Sequence, residues 1–542
     1  MKRLSRRQFL SYMGASFLTA LTARSGLNAL AAGRPSAVKG EFTPDVEIDL
    51  VAAPGKVSLL PGAETDVWQY TAQVVSGPSS AVQPLTNTYL GPIMRWQKGQ
   101  KIRVRFTNHI PEETIVHWHG LHVPELADGH PRFVIDEGET YVYEFEVMDR
   151  AGTYWYHPHP HGRTGPQAYR GLAGLIAISD AEEASRGLPS GEFDMPLVLQ
   201  DRTFDAANQL VYATSMMGFL GDTILVNGQP NASFDVQATS YRLRVLNGSN
   251  SRIYKLGWSD NTPLTVIATD GGLLDTPVTR SYVTMAPGER VELLVNFSQW
   301  GAGTSIRLES KTFSTGGNMG GGMGSLPNGA SFTVATFNIK NVVATPTPSP
   351  TPTPAPGAGQ PVAYMPFINR KAAVPTVTST IEAARVAATR TFYLYMMTGQ
   401  WTINGRVFEM TAVASDEVVQ LGAREVWEFA NMPPGGMGGP GGPGGPGGGG
   451  GMGMPHPMHI HGLQFRVLSR SAPTTSTARS NWESVKDGYV DEGWKDTVLV
   501  MPGERVQVQV EFKDYEGLYL YHCHNLEHED MGMMRNYRVV AP

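Results

Sequence analysis

The sequence predicts an all-β protein built from three related domains. Glycine and proline are abundant, with 61 and 39 residues in a chain of 542, and the runs that alternate apolar and polar residues are short. This pattern is typical of many half-buried strands joined by turns. The same order of motifs occurs in three places, so we predict domains at residues 45–182, 190–342 and 391–542.

Two motifs recur among the predicted domains. The first is an alternating strand that ends in asparagine, found at Lys101–Asn108, Tyr241–Asn247 and Arg424–Asn431. The second begins with Pro-Gly-Glu-Arg at residues 287–290 and again at 502–505, with a looser copy at 136–145. Alternation with a period of two predicts antiparallel strands with one buried face.

The segment after the second motif differs among the copies. Residues 152–159 end in His157-Pro158-His159, whereas residues 517–524 end in His522-Cys523-His524. The corresponding segment of the middle copy, around residues 304–310, has no histidine. We therefore expect the outer domains to hold a site built from these histidines, and the middle domain to be a spacer or part of a substrate path.

Two segments lie outside the predicted domains. Residues 1–31 match a twin-arginine export signal, because paired arginines at positions 6 and 7 precede a moderately apolar stretch and a small-residue cleavage site. Residues 343–390 begin with a Thr-Pro repeat typical of an extended polyproline II spacer. The signal predicts a periplasmic, extracytoplasmic or cell-surface protein, exported already folded by the twin-arginine machinery.

Composition excludes several classes of function. The net charge of −6 gives no basic surface for nucleic acid. No uninterrupted apolar run reaches the roughly 18 residues of a spanning helix. The only cysteine, Cys523, has no partner for an intramolecular disulfide and lies between two of just 14 histidines, which indicates a metal ligand.

Four His-x-His pairs supply eight imidazoles. They are His117 and His119, His157 and His159, His459 and His461, and His522 and His524. Two residues apart on a strand, the members of a pair point to the same face. Two pairs come from each outer domain, so we predict that all eight converge where those domains meet. Neutral imidazoles in this number suit copper, which nitrogen ligands bind tightly.

Cys523 points to the opposite face of its strand from the histidines beside it. With His456 and His528 it would form the His₂Cys set of a blue-copper electron-transfer site, and Met533 could be the weak axial ligand. Two other methionines compete for the axial role, Met531 and Met534, and we expect both to be packing residues. Two sites joined through a few covalent bonds would suit electron transfer between them.

These motifs resemble the signatures of the multicopper oxidases, most of all the exported bacterial cuprous oxidases, with bilirubin oxidases and bacterial laccases nearby. The resemblance covers nearly the whole chain after the export signal and implies three cupredoxin-like Greek-key domains with four copper ions. It assigns type 1 copper to His456, Cys523, His528 and Met533, type 2 copper to His117 and His459, and the binuclear type 3 pair to His119, His157, His159, His461, His522 and His524. It leaves out His109, His122, His130 and His161, which we expect at the surface or beside the ligands.

The family's mechanism implies roles for further residues. A reductant would give one electron at a time at the type 1 site, Cys523 would pass it to His522 or His524, and four electrons would reduce O₂ to water at the other coppers. Asp128 stands where the family has a carboxylate beside the trinuclear site, and Glu529 stands on a proton route. Both are also explained as ordinary solvated or capping carboxylates.

Two tracts of glycine and methionine bear on the substrate. One covers residues 316–323, and the other holds Met432, Met437, Met452, Met454 and Met458 near the type 1 ligand His456. Thioethers select Cu(I), so we predict Cu(I) as the reductant, with phenols or other organic donors as the alternative. A flexible low-complexity loop would explain the second tract equally. The exported cuprous oxidases carry their methionine-rich insert elsewhere in the third domain.

Other classes of function stay open on the sequence alone. A protein that sequesters copper without catalysis would use the same ligands, and its copper would not take up O₂. The intact ligand set argues against a copper-free role like that of the family's cell-division member. A copper nitrite reductase needs fewer than four His-x-His pairs. We expect a monomer.

Overall fold

A computed structural model of the chain describes residues 42–315, 326–342, 388–432 and 453–542. The predicted export signal, nearly all of the predicted spacer and most of the two glycine-methionine tracts lie outside the described residues. Strands dominate the described part, which confirms the all-β prediction. No helix in this part of the chain has the length and apolar character needed to cross a membrane.

The first domain has its described strands at β1 (Val46–Val57), β2 (Thr65–Ser76), β3 (Val82–Gln83), β4 (Ile93–Gln97), β5 (Lys101–Asn108), β6 (Val116–His119), β7 (Thr140–Glu146), β8 (Gly152–Pro158) and β9 (Gly174–Ser179). They pair into sheets in the orders β2-β1-β5-β7 and β3-β4-β9-β8-β6. A core of aliphatic and aromatic side chains fills the space between these sheets.

The middle domain has its described strands at β10 (Asp194–Arg202), β11 (Thr223–Val226), β12 (Gln229–Pro230), β13 (Ser233–Gln237), β14 (Ser240–Asn247), β15 (Tyr254–Trp258), β16 (Leu264–Thr269), β17 (Gly272–Arg280), β18 (Val283–Met285), β19 (Arg290–Asn296), β20 (Ser305–Ser310) and β21 (Phe332–Lys340). The sheet orders are β12-β11-β10-β14-β19-β16-β17 and β13-β21-β20-β15-β18.

The third domain has its described strands at β22 (Ala388–Met397), β23 (Gln400–Ile403), β24 (Val418–Gln420), β25 (Arg424–Ala430), β26 (His456–Ile460), β27 (Arg466–Ser471), β28 (Thr497–Val500), β29 (Arg505–Glu511), β30 (Gly517–Cys523) and β31 (Met534–Val540). The sheet orders are β23-β22-β25-β29-β27 and β24-β31-β30-β26-β28. Cys523 and Met533 are part of the core between these sheets, and both are fully buried.

Helices are short in the described part of the chain. The α-helices are α1 (Thr164–Tyr169), α2 (Ala181–Ser185), α3 (Ser476–Glu483) and α4 (Leu526–Asp530). Single 3₁₀ turns lie at Ser79–Ala81, Glu125–Ala127, Pro131–Phe133, Gly191–Phe193, Phe297–Trp300, Ser415–Glu417 and Lys486–Gly488.

One pairing plan is repeated in the three domains. An early strand pairs in parallel with the strand that ends in asparagine, as β1 does with β5, β10 with β14 and β22 with β25. Asn108, Asn247 and Asn431 stand at or just past the ends of these strands, and each donates two hydrogen bonds to backbone carbonyls. Because buried carbonyls must be paired, the recurring asparagine stabilises the chain where it leaves the sheet.

Candidate metal centres

Neighbouring strands position the histidines of the first domain. His117 and His119 lie on β6, His157 lies on β8, and His159 follows the end of β8. The two strands are antiparallel, and their register sets His117 opposite His157. Alternation along each strand then directs the four imidazoles to one face.

The third domain repeats this arrangement. His459 lies on β26, His522 lies on β30, and the antiparallel register sets them opposite each other. His461 and His524 follow one residue beyond the ends of their strands. Both outer domains therefore present a four-histidine face.

The two faces meet, as the sequence predicts. Nε2 of His117 lies 3.4 Å from Nε2 of His459, and Nε2 of His159 lies 3.4 Å from Nε2 of His522. Across the same boundary the ring of His461 stacks on His117 with 3.7 Å between centroids. All eight rings of the four pairs are at most 1% exposed.

The donor set fits copper. Burial, reinforced by the neighbouring imidazoles, lowers the pKa of His157 to about 3 and of His159 to about 4, so both rings are neutral at ordinary pH. The pKa values of His117, His119, His459, His461 and His524 are lowered for the same leading reason, burial. Neither ring nitrogen of His524 has a hydrogen-bond partner among the described residues. Buried neutral nitrogens left unpaired are what a copper cluster needs.

Asp128 lies directly beside the cluster. Its backbone carbonyl is 2.6 Å from Nδ1 of His117, and its carboxylate Oδ2 is 2.8 Å from Nδ1 of His461. Its other carboxylate oxygen, Oδ1, has no hydrogen-bond partner among the described residues. Burial and the nearby Glu125 raise the pKa of Asp128.

Glu529, on α4 of the third domain, lies against the first domain at the cluster. Oε1 accepts a hydrogen bond from Oγ1 of Thr164 at 2.7 Å and is 3.5 Å from Nε2 of His159, while Oε2 is 3.2 Å from Nδ1 of His522. Burial raises the pKa of Glu529, but His522 and His159 outweigh it and hold the pKa below its usual range. Both predicted carboxylates are thus buried at the cluster and are not exposed surface groups.

The single cysteine forms a separate buried group with two histidines. Sγ of Cys523 lies 3.4 Å from Nδ1 of His456 and 3.6 Å from Nδ1 of His528, and these two nitrogens are 3.2 Å apart. The side chain of Asn525 caps α4 by accepting from the backbone N–H of His528, which fixes the start of the helix that carries this histidine. Burial raises the pKa of the Cys523 thiol, so a bound cation is needed to hold the thiolate.

Of the three methionines considered for the axial role, Met533 is the one that lies in the core with Cys523. It is fully buried, and its backbone carbonyl accepts from the N–H of Cys523 at 3.0 Å. Met534 instead packs with Phe408 and Leu520 in a separate small cluster. This arrangement agrees with the prediction that Met534 is a packing residue.

Sequence reasoning missed the residues that cover the cysteine group. The ring of Trp401 lies 4.8 Å from the rings of both His456 and His528, and its Nε1 donates to the carbonyl of Met216 at 2.8 Å. Met216 comes from the middle domain and is 39% exposed. Met216 belongs to no motif, and Trp401 only begins the repeated Trp-Thr-Ile-Asn-Gly turn, so only the tertiary contact reveals that they cover the site.

Asp496 was also missed. Its Oδ1 lies 2.9 Å from Nε2 of His119, and its backbone carbonyl lies 2.8 Å from Nδ1 of His459. Burial raises the pKa of Asp496, but Arg290 and His119 outweigh it and hold the pKa well below the usual range. The Lys-Asp-Thr sequence at 495–497 carries no signal that separates this aspartate from others.

The remaining histidines lie outside the cluster, as predicted. His109 and His161 are exposed. His130 is buried, with Nε2 2.9 Å from Oδ1 of Asn536. His122 forms ion pairs with Asp149 of the first domain and Asp514 of the third.

We expect the contribution of His122 to the free energy of unfolding to be larger at acidic than at alkaline pH. Burial lowers the pKa of His122, but Asp149 and Asp514 outweigh both burial and Lys513, so the pKa is raised. Its contribution is therefore fully present below the unfolded-state pKa of about 6.5 and is lost as pH rises through the folded-state value. Thermal midpoints of the natural chain and His122→Gln should differ most at acidic pH. A difference that does not change with pH would contradict this.

Comparisons with known proteins bear on the family. Three family models described as multicopper oxidase match residues 67–183, 193–305 and 383–542. The chain is 32% identical to the multicopper oxidase mco of Staphylococcus haemolyticus, over 83% of this chain and 82% of that protein. It is 29% identical to a laccase of Bacillus stratosphericus, over 82% of this chain and 88% of that protein.

Solved structures agree on the fold. The McoA multicopper oxidase of Aquifex aeolicus is similar with a TM-score of 0.70 and 34% identity, covering 92% of this chain and 97% of that chain. The cupredoxin-like architecture implied by the resemblance is confirmed. Proteins of this family bind four copper ions and use O₂ as the electron acceptor, and this chain belongs to the multicopper oxidase family.

Proposed function

We propose that this multicopper oxidase takes electrons one at a time from Cu(I) at the group of Cys523, His456 and His528, and uses them to reduce O₂ at the eight-histidine cluster. The observation that carries the proposal is the covalent junction between the two groups. Cys523 faces His456 and His528, while His522, its neighbour in β30, faces the cluster. An electron therefore has a path of a few bonds along one strand.

The proposed ligands follow the family pattern. By the positions of the family's motifs, the chain would hold type 1 copper with His456, Cys523, His528 and Met533, type 2 copper with His117 and His459, and the type 3 pair with His119, His157, His159, His461, His522 and His524. Copper, when bound, would supply one-electron transfer at the first set and four-electron reduction of O₂ to water at the other two.

Two carboxylates would transfer protons and fix the orientation of a ligand ring. Asp128 accepts from Nδ1 of His461 and leaves Nε2 of that ring facing the cluster, 3.1 Å from Nε2 of His522. Oδ1 of Asp128, which makes no hydrogen bond among the described residues, would accept a proton or a water molecule. Glu529 would deliver protons from the side of Thr164.

Met216 supports Cu(I) as the reductant. Its thioether is partly exposed, and its carbonyl is hydrogen-bonded to Trp401, which packs on both type 1 histidines. Thioethers are soft donors that select Cu(I). Met454 and Met458 of the second glycine-methionine tract are instead 3% and 0% exposed and pack in the third-domain core, so these two methionines offer no exposed thioether to Cu(I).

Oxygen uptake tests the proposed substrate. Copper-loaded protein is given Cu(I), a phenol and bilirubin in parallel, and O₂ consumption is recorded with each. Faster uptake with Cu(I) than with either organic donor is expected. Rapid phenol oxidation without added copper would favour the second candidate, a laccase-like oxidase, which the similarity to named laccases supports.

We expect Met216→Leu to weaken the use of Cu(I) selectively. Leucine keeps the size of the side chain but removes the sulfur. The KM for Cu(I) should rise by at least about threefold, or about 0.7 kcal/mol, while kinetics with a phenol stay the same. Steady-state O₂ uptake with both donors measures this. An equal loss with both donors would indicate that Met216 only packs against Trp401.

Export and the oligomeric state belong to the same proposal. Residues 1–31 would direct the folded chain through the twin-arginine machinery to the periplasm or cell surface, where it would act as a monomer. Replacing the arginines at positions 6 and 7 with lysines should leave the protein in the cytoplasm, as fractionation would show.

A further inference from the structure

Asp496 has the same relation to the cluster as Asp128. Each aspartate meets one histidine of its own domain through its backbone carbonyl and one histidine of the other outer domain through its carboxylate. For Asp496 the two partners are His459 and His119, whose rings stack with 3.7 Å between centroids. The two aspartates therefore each link a histidine of the first domain to a histidine of the third.

The two carboxylates differ in what else binds them. Oδ1 of Asp128 makes no hydrogen bond among the described residues and lies 3.6 Å from Nδ1 of His117. Asp496 has both oxygens engaged by Arg290 of the middle domain, with Nη1 2.8 Å from Oδ1 and Nη2 2.5 Å from Oδ2. Oγ1 of Thr497 donates to Oδ1 as well. A two-pronged contact of this kind fixes the plane of the carboxylate.

Arg290 is itself held firmly. It is fully buried, and its remaining N–H groups donate to the backbone carbonyls of Thr153, Gly288 and Asp270. These carbonyls come from the first and middle domains, while Asp496 belongs to the third. The guanidinium therefore sits where three domains meet.

The repeated Pro-Gly-Glu-Arg motif shows that this orientation is particular to the middle domain. In the third-domain copy, Arg505 is partly exposed and pairs with Glu428 on the neighbouring strand of its own sheet. In the middle-domain copy the arginine turns inward to Asp496. Gly288 of the same motif lies against the cluster with φ +85°, and a Cβ there would be 3.1 Å from the ring of His524.

We infer that Asp496 is a positioning residue that fixes the orientation and tautomer of His119 and His459, and that Arg290 holds it in place. This inference rests on the proposed copper ligands. If Nε2–H of His119 is donated to Asp496, Nδ1 remains for the cluster, and that atom lies 3.3 Å from Nε2 of His157. His459 donates Nδ1–H to the backbone carbonyl of Asp496, which leaves Nε2 of His459 for the cluster. The middle domain thus supports the cluster and is more than a spacer.

Two isosteric variants test the inference. Asp496→Asn removes the negative charge of the carboxylate that Arg290 and His119 both contact. Glu292→Gln is the matched control, since Glu292 is a buried carboxylate in β19 that binds Arg242 and Arg244 and contacts no proposed ligand. Copper per chain, copper affinity, the EPR spectrum of type 2 Cu(II) and the thermal midpoint are measured for each.

Asp496→Asn should weaken copper binding at the cluster by about 10- to 100-fold, the usual effect of losing a partner behind a ligand, and should alter the type 2 EPR spectrum. Glu292→Gln should keep four coppers and the natural spectrum even if its thermal midpoint falls. Arg290→Lys keeps the positive charge but not the bidentate contact, so it should lose less copper affinity than Asp496→Asn. It also tests the inference if Asp496→Asn does not fold.

The inference is overturned if Asp496→Asn and Arg290→Lys bind copper as the natural chain does, with the same EPR spectrum. It is also overturned if Glu292→Gln changes the spectrum equally, since any buried charge would then have the same effect. A natural chain that binds fewer than four coppers would overturn the proposed function, and the inference with it. Four coppers in the natural chain, together with unchanged copper affinity and an unchanged EPR spectrum in Asp496→Asn, would overturn the inference alone.

Discussion

Cys523→Ser should abolish the blue colour, remove one of four bound copper ions and stop oxidase turnover. Serine offers a hard hydroxyl where the site needs a soft thiolate, so His456 and His528 lose the ligand that completes the set. The loss of turnover should be about 10³-fold or more, as expected when one member of a catalytic unit is removed. The only cysteine is changed, so no disulfide is affected.

Three measurements together check this prediction. Visible absorption reports the blue centre, elemental analysis reports copper per chain, and O₂ uptake reports turnover. Met533→Leu is the matched control, because it changes the proposed axial ligand and leaves the thiolate, so it should stay blue with an altered redox potential. Loss of all copper from Cys523→Ser would show that the two groups are not separate sites.

The sequence was enough to assign the two sites to opposite faces of a strand, because successive side chains of a strand point to alternate faces. That alternation sets His522 and Cys523 on opposite faces of β30, and the structure finds them in different groups. The repeat comparison likewise predicted the strand without histidine in the middle domain, which is β20. Both inferences depend on local geometry, which the order of residues determines directly.

The residues behind the ligands could not be predicted, because they depend on contacts between domains. Arg290 and Asp496 are 206 positions apart, and Arg290 and Arg505 occupy equivalent positions in matching motifs. Only the packing of the middle domain against the third turns one arginine inward. Met216 and Trp401 are 185 positions apart and meet for the same reason.

Burial in the structure also shows which methionines are packed in the core, which composition does not. Met454 and Met458 look like members of a glycine-methionine tract, yet both lie in the third-domain core. Met458 stands opposite Cys523 in the register between β26 and β30, so its side chain is committed to packing. A compositional pattern does not separate a packed thioether from an exposed one.

Glu529→Gln should slow the reduction of O₂ by about 10²- to 10⁴-fold, the usual contribution of a positioned proton donor or acceptor. Glutamine keeps the shape of the side chain and the contact with Thr164 but cannot carry a proton. Glu529 lies against His159 and His522 and not against the group of Cys523, so copper content, blue colour and the step that accepts electrons should stay as in the natural chain.

Rapid mixing separates the two halves of the reaction. Loss of the blue band when oxygen-free protein meets a donor reports electron entry, and its return on mixing with O₂ reports the step that needs protons. Glu527→Gln is the matched control, because Glu527 is equally buried but binds Tyr212, Asn250 and Ser251 of the middle domain. It should return to blue at the natural rate even if its thermal midpoint falls. If the blue band of Glu529→Gln returns as fast as that of Glu527→Gln, Glu529 has no part in proton delivery and only packs between His159 and His522.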